Sequence, residues 1–259
     1  MIICRSLNEI PSLPQPIGLS IGSFDGVHLG HQALFQFLRN KVADQGTVAA
    51  LTFANHPSQV FNGHAPTLQL CTLEHKLKLF KELSIDLVIL IEFNAEFAQQ
   101  PFDLFLKELR QHLPFSYLAL GEDARFGKDR QGTSDAVKAL APLLDFEVKY
   151  LDKTLWKDLP ISSGRIRKAL QEGNLDEVAS LLGRNYSVFS SLNKRQGHYE
   201  IAASNLCLPP DGIYPMKVQE PAKGIDGHAE VCNETKTIRL DFSPNGHLLS
   251  QDPVEVLFF

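Results

Sequence analysis

The stretch Ile17-Gly18-Leu19-Ser20-Ile21-Gly22-Ser23-Phe24-Asp25-Gly26-Val27-His28-Leu29-Gly30-His31 decides the fold. Its first five residues read as a short apolar strand, and residues 30–42 carry apolar side chains at helical spacing, so a glycine-rich turn joins a strand to a helix. Glycines at 26 and 30 let backbone approach a ligand closely, and the helix start turns its partial positive charge towards the loop, which favours an anion there. His28 and His31, three apart, are expected to face that anion. Imidazole N–H groups can donate hydrogen bonds to the oxygens of a phosphorus centre as charge develops on them, which suits nucleotidyl transfer. A closed zinc site needs further ligands and the local sequence offers only Asp25, so no metal ligation is expected; a purely structural strand-to-helix turn is the plainer alternative.

Outward from this loop, strand candidates at 48–53, 87–91, 117–120 and 146–150 alternate with helical patterns at 73–83, 102–109 and 134–143. This is the order of a parallel sheet with crossover helices, an α/β Rossmann-like fold. Two short helical patterns at 162–170 and 175–182, separated by Gly173-Asn174, close it. From Ser190 onward the period changes to β-like runs at 212–218, 229–232, 237–242 and 254–259, with turns at Pro209-Pro210-Asp211-Gly212 and Pro244-Asn245-Gly246. The expected organisation is an α/β domain over 1–185 and a small all-β domain over 190–259.

A net charge of −5 gives no basic excess, so an extended electrostatic grip on nucleic acid is not expected and a small substrate is. The four cysteines, Cys4, Cys71, Cys207 and Cys232, form no C-x-x-C pair, against a zinc ribbon or a disulfide framework. No apolar run reaches the length that spans a bilayer, and Met1-Ile2-Ile3-Cys4-Arg5-Ser6 lacks a signal-peptide core. A cytoplasmic chain with no membrane partner is expected; nothing in the sequence fixes an oligomeric state.

Four segments in order carry a family resemblance. Residues 22–31, G-S-F-D-G-V-H-L-G-H, resemble the H-x-G-H element of the nucleotidyltransferase superfamily, in the form typical of the prokaryotic bifunctional riboflavin kinase and FAD synthetase family. Thr52-Phe53-Ala54-Asn55-His56-Pro57 resembles that family's T-F-x-P-H-P turn, with Asn55 in place of a proline. Gly121-Glu122-Asp123-Ala124-Arg125-Phe126-Gly127 resembles its G-x-D-F-R-F-G loop, with Ala124 in place of an aromatic residue. Ile161-Ser162-Ser163-Gly164-Arg165-Ile166-Arg167 resembles its I-S-S-T-R-I-R motif. The resemblance implies an enzyme, an FMN adenylyltransferase that transfers AMP from ATP to FMN to give FAD and pyrophosphate, with Mg²⁺ accompanying ATP. It implies His28, His31 and Arg165 as catalytic residues, and an ATP site of Gly22, Ser23, Phe24, Asp25, His28, Gly30, His31, Ser162, Ser163 and Arg165. It assigns the flavin to Phe53, His56, Pro57, Asp123 and Phe126.

Beside the resemblance, Ser162 and Ser163 precede a helical pattern as capping hydroxyls do, and Arg165, Arg167 and Lys168 cluster at its start, as a phosphate clamp or an ordinary capped surface helix would have them. The Gly121-to-Arg130 segment is not a P-loop: five residues separate Gly121 from Gly127, and Asp129 stands where a magnesium-binding Ser or Thr is needed.

In the resembled family the C-terminal β domain phosphorylates riboflavin. Its G-F-P-T-A-N segment aligns with Glu200-Ile201-Ala202-Ala203-Ser204-Asn205, so Ala203 replaces a metal-binding threonine while Asn205 is kept. The glutamate that serves as base aligns with Lys236, an ammonium that is a proton donor at neutral pH. The chain ends at Phe259, where the family continues into a helical segment. These departures imply a reduced riboflavin-kinase-like module with kinase activity lost. A bifunctional enzyme and a non-catalytic flavin or nucleotide carrier remain as alternatives.

Overall fold

The computed structural model describes residues 1–61, 66–195, 198–219, 224–242 and 253–259. The anticipated turn at Pro244-Asn245-Gly246 lies outside the described residues. In chain order the elements are β1 (Ile2–Cys4), β2 (Ile17–Ile21), α1 (Leu29–Val42), β3 (Thr47–Phe53), α2 (Ser58–Phe61), α3 (Leu73–Glu82), β4 (Leu87–Ile91), α4 (Ala95–Ala98), α5 (Phe102–His112), β5 (Tyr117–Gly121), α6 (Ser134–Leu140) and β6 (Glu147–Leu151). They continue with β7 (Leu155–Trp156), β8 (Leu159–Pro160), α7 (Ser163–Gln171), α8 (Leu175–Leu182), β9 (Ser187–Ser190), β10 (Asn193–Arg195), β11 (His198–Ala202), β12 (Gly212–Gln219), β13 (Ile225–Cys232), β14 (Thr237–Phe242) and β15 (Val254–Phe258).

The chain forms two compact units that are not contiguous in sequence: 1–24, 30–67 and 79–154 make the first, and 25–29, 68–78 and 155–259 the second. The first is a six-stranded parallel sheet in the order β1-β4-β3-β2-β5-β6. Its central strands are buried on both faces, which explains their unbroken apolar runs. Gly18 in β2 permits the closest approach of a helix, since a Cβ there would meet Leu38 Cδ2 at 3.0 Å and Val42 Cγ1 at 3.1 Å of α1. From β2 the chain winds outward to β3 and β4, then returns to place β5 on the other side of β2. The strand order therefore reverses between β2 and β5, and ligands of such sheets bind beyond the strand C-termini at that crevice.

The second unit holds a seven-stranded antiparallel sheet in the order β10-β11-β14-β13-β12-β15-β9, with the β7-β8 hairpin, α7 and α8. Ile166, Leu170, Val178 and Leu181 share one apolar core with Ile201, Met216, Val218, Val231 and Leu240. Burying one such side chain contributes roughly 1.5–3 kcal/mol, so this common core and not chain order sets where α7 and α8 belong. The helices begin at the capping side chains that their sequences present: Ser162 Oγ accepts from Arg165 N (3.2 Å), and Asn174 Oδ1 from Glu177 N (3.1 Å). The helical pattern at 134–143 divides into α6 and a 3-10 turn, Ala141–Leu144, where Pro142 has no N–H to continue the ladder. Strand β1, absent from the sequence expectation, pairs in parallel with β4 at the sheet edge.

Candidate active site

A cavity of about 680 Å³ opens in the first unit at the C-terminal ends of its strands, within the range of small-molecule sites. It is lined by Ile21 at the end of β2 with Gly22 and Ser23 beyond it, by Phe53 at the end of β3 with Pro57 beyond it, by Phe93 and Phe97 after β4, and by residues 123–127 after β5. This is the crevice that the strand order marks. Its wall is aromatic: Phe61, Phe93, Phe53, Phe97, Phe105 and Phe126 pass from ring to ring edge-on, with centroids 5.2–6.1 Å apart. Such pairs add about 0.5–1.5 kcal/mol each beyond area burial, which holds the wall in one shape. Gly127 turns the lining loop at φ 74°, and a Cβ there would fall 2.6 Å from Phe102 N, so only glycine fits. Arg125 and Arg130 also line the cavity and have no carboxylate partner among the described residues, whereas Asp123 pairs with Lys153 at 3.0 Å.

Of the residues that the resemblance assigned to the flavin, Phe53, Pro57, Asp123 and Phe126 line this one cavity, joined by Gly22 and Ser23 from the ATP set. His56 does not line it. Its Nδ1 accepts from Ser58 N at 3.2 Å and lies 2.7 Å from Ser58 Oγ, at the start of α2. Phe24, at 2% exposure and φ 49°, packs against Phe35 and Phe80 and sets its ring edge-on to His31 at 5.3 Å. It supports His31 from within the core. Phe61, Phe93, Phe97 and Phe105 join the wall without any local sequence signal that separates them from core residues.

In the second unit, residues 25–29 form a tightly held loop. Asp25 accepts from Leu70 N at 2.9 Å and pairs with Arg167 at 2.6 Å, and its carbonyl takes the Ser163 hydroxyl at 3.0 Å. Arg184 Nη2 donates to Gly26 O at 2.7 Å and Nη1 to Val27 O at 3.3 Å. These bonds hold Val27, a β-branched residue, at φ 41°, a left-handed conformation that persists only under such restraint. His28 beside it is buried, and burial followed by the charges of Arg184 and Arg167 lowers its pKa to about 4. It is therefore neutral at physiological pH and can donate one N–H without carrying charge.

The three cations at the start of α7 each meet a carboxylate of the same unit. Arg165 makes a two-nitrogen contact with Glu177 Oε1 (2.9 and 2.7 Å), donates to Trp156 O (3.1 Å) and Leu159 O (2.9 Å), and lies over the Trp156 ring at 5.2 Å. Arg167 holds Asp25, and Lys168 reaches Glu172 at 3.9 Å. At the start of α7 the Ser163 hydroxyl donates to Asp25 O and the Arg165 amide to Ser162 Oγ, which leaves the amides of residues 163 and 164 and the Ser162 O–H as the groups that suit an anion. Among the described residues no cluster of three or more His, Cys, Asp or Glu is placed to hold a metal ion, and no helix is long and apolar enough to cross a membrane.

Residues 11–165 match the family model described as FAD synthetase. The chain belongs to the FAD synthetase family. It is 32% identical over 229 residues to the bifunctional riboflavin kinase/FMN adenylyltransferase of Haemophilus influenzae, covering 85% of this chain and 74% of that one. Identity is 31% over 230 residues to the protein of the same name from Buchnera aphidicola subsp. Schizaphis graminum, covering 84% and 73%. A crystal structure titled as a macrolide-efflux protein from Streptococcus pneumoniae shares the fold, with a TM-score of 0.83, 21% identity, and 99% of this chain and 88% of that one covered. Two positions that the resemblance set against the kinase pattern, 203 and 236, are neighbours. Ala203 N donates to Lys236 O at 2.8 Å, Ala203 is buried in the apolar core, and Lys236 Nζ turns to Asn233 Oδ1 at 3.2 Å. Asn205 gives its carbonyl to Gln69 N at 2.8 Å.

Proposed function

We propose that this chain is an FMN adenylyltransferase, with the chemistry carried by residues 1–185, and that the β module over 190–259 no longer phosphorylates riboflavin. The observation that carries the first part is the phenylalanine-walled cavity at the reversal of strand order, shaped for an isoalloxazine ring and rimmed by two guanidinium groups that suit an anionic substrate. A terminal phosphate oxygen of FMN attacks the α-phosphorus of ATP; the new P–O bond forms as the bond to the β-phosphate bridge breaks, and pyrophosphate leaves with Mg²⁺, which enters as part of the Mg-ATP substrate.

The work of the protein is positioning and charge stabilisation. His28, neutral by burial, and His31 donate N–H groups to the oxygens of the α-phosphate. Gly22 and Ser23 let a ligand approach the end of β2; at the start of α7 the Ser162 O–H and the first amides suit phosphate oxygens, the Ser163 hydroxyl being engaged with Asp25 O. Arg165 acts by fixing α7 and the β7-β8 hairpin, since its guanidinium nitrogens already bind Glu177 and main-chain carbonyls. Asp25 holds the loop through Arg167. Loss of kinase activity is supported by the methyl group at 203 and the ammonium at 236. The setting is proposed to be cytoplasmic, with small molecules as partners and no nucleic acid.

Chromatographic product analysis after incubation with Mg-ATP and either FMN or riboflavin tests both parts. FAD from FMN, and neither FMN nor FAD from riboflavin, is expected. FMN made from riboflavin refutes the kinase reading, and no product from either substrate refutes the enzyme reading.

A further inference from the structure

We propose that Asn55 is a positioning residue for the flavin ring, acting through Phe93; the inference rests on the flavin reading of the cavity. The backbone pairing of β3 with β4 runs out with Ala54 N donating to Ile91 O at 2.9 Å. One step further the Asn55 side chain continues it. Its Nδ2 donates to Phe93 O at 2.8 Å and its Oδ1 accepts from Phe93 N at 2.8 Å, so one side-chain amide satisfies both backbone polar groups of Phe93 where the parallel ladder has ended. Phe93 is thereby fixed between the end of β4 and Asn94, whose own side chain caps α4 by accepting from Phe97 N at 2.8 Å. The Phe93 ring is, with Phe97, one of two hubs of the aromatic wall, 5.2 Å from Phe53, 5.5 Å from Phe61 and 5.6 Å from Phe97.

Asn55 itself does not line the cavity, so it acts only by holding this hub. A proline, the residue of the resembled family at this turn, offers neither donor nor acceptor in its side chain. The placement of Phe93 by an amide is therefore a feature of this chain's own sequence.

The test is FMN binding read by quenching of flavin fluorescence in the absence of ATP, with steady-state kinetics beside it. Asn55→Leu, similar in size but unable to hydrogen-bond, is expected to weaken FMN binding roughly five- to tenfold while KM for ATP and kcat at saturating FMN stay within twofold. Asn55→Asp keeps the acceptor for Phe93 N–H and is expected to fall between the two; it also stands in should the leucine variant not fold. Because both changes act on one ring, Asn55→Leu combined with Phe93→Leu is expected to bind FMN no more weakly than Phe93→Leu alone. Wild-type affinity in either folded Asn55 variant, or additive losses in the double variant, overturns the proposal. If the wild-type protein itself leaves FMN fluorescence unquenched, the flavin reading falls and this inference with it, whereas quenching by wild type with no change on substitution removes this inference alone.

Discussion

The cavity rim of the first unit and the start of α7 in the second treat their cations in opposite ways. Around the cavity of the first, Arg125 and Arg130 line open space beside a wall of phenylalanines, with no carboxylate partner among the described residues. In the second, Arg165, Arg167 and Lys168 each meet a carboxylate of the same unit, and Ala203 and Lys236 are tied to each other through the backbone. A binding site and a structural network can carry the same residue types. What distinguishes them is whether the charges are already neutralised from within.

The strongest way to break this contrast is to remove the two imidazoles. His28→Ala and His31→Ala are each expected to lower kcat for FAD formation about 10²–10³-fold while the melting temperature moves by only a few degrees. Equal loss of activity and stability would make the loop a structural device. The next test is pH. The folded-state pKa of His28 lies below its unfolded value, so unfolding takes up a proton: stability is fully present above about pH 6.5, is lost as pH falls, and levels off below about 4. A shift of this size corresponds to about 3 kcal/mol, and buried His75, lowered chiefly by burial, acts in the same direction. Denaturant unfolding at pH 7.5, 6 and 4.5 measures it, and a flat profile would place His28 in water.

A smaller effect is expected from Arg165→Ala. Leaving Glu177 and the hairpin carbonyls without this partner costs about 1.5–3 kcal/mol, seen as a lower denaturation midpoint with an unchanged slope. A large fall in kcat at unchanged stability would instead return Arg165 to direct contact with phosphate. The smallest effect belongs to Ala203→Thr. It is expected to leave FAD formation from FMN within twofold of wild type and to produce no FMN from riboflavin, because Lys236 still occupies the position of the base; FMN production by this variant would show that Lys236 is no obstacle.

Much of the first unit was legible because its signals are local. The apolar runs of β2 and β4 fall where the periodicity sets them; in the second unit α8, equally local in its signals, starts and stops at Asn174 and Gly183 as capping chemistry requires. The partners of the cations were not legible. Arg165 and Glu177 are twelve residues apart on different helices, and no pattern in sequence says that a guanidinium beside a capped helix start will meet an internal carboxylate rather than a phosphate. The aromatic wall was legible only in part. Phe53 and Phe126 stood inside recognisable motifs, but Phe61, Phe93, Phe97 and Phe105 carry no mark that separates a cavity wall from a core. Asn55 was visible only as a departure, since its two bonds depend on where β4 ends.

Trp156, the single tryptophan of the chain, sits in the β7-β8 hairpin with Lys157 Nζ 4.2 Å and the Arg165 guanidinium 5.2 Å from its ring centre. The first unit has no indole of its own, and on the flavin reading proposed above its cavity is where added FMN loses its emission. With FMN added, two separable optical channels are expected: ultraviolet emission that reports the hairpin and its cations, and visible emission that returns when the aromatic wall is lost. Recorded together during unfolding, they resolve whether the two units melt as one or in sequence.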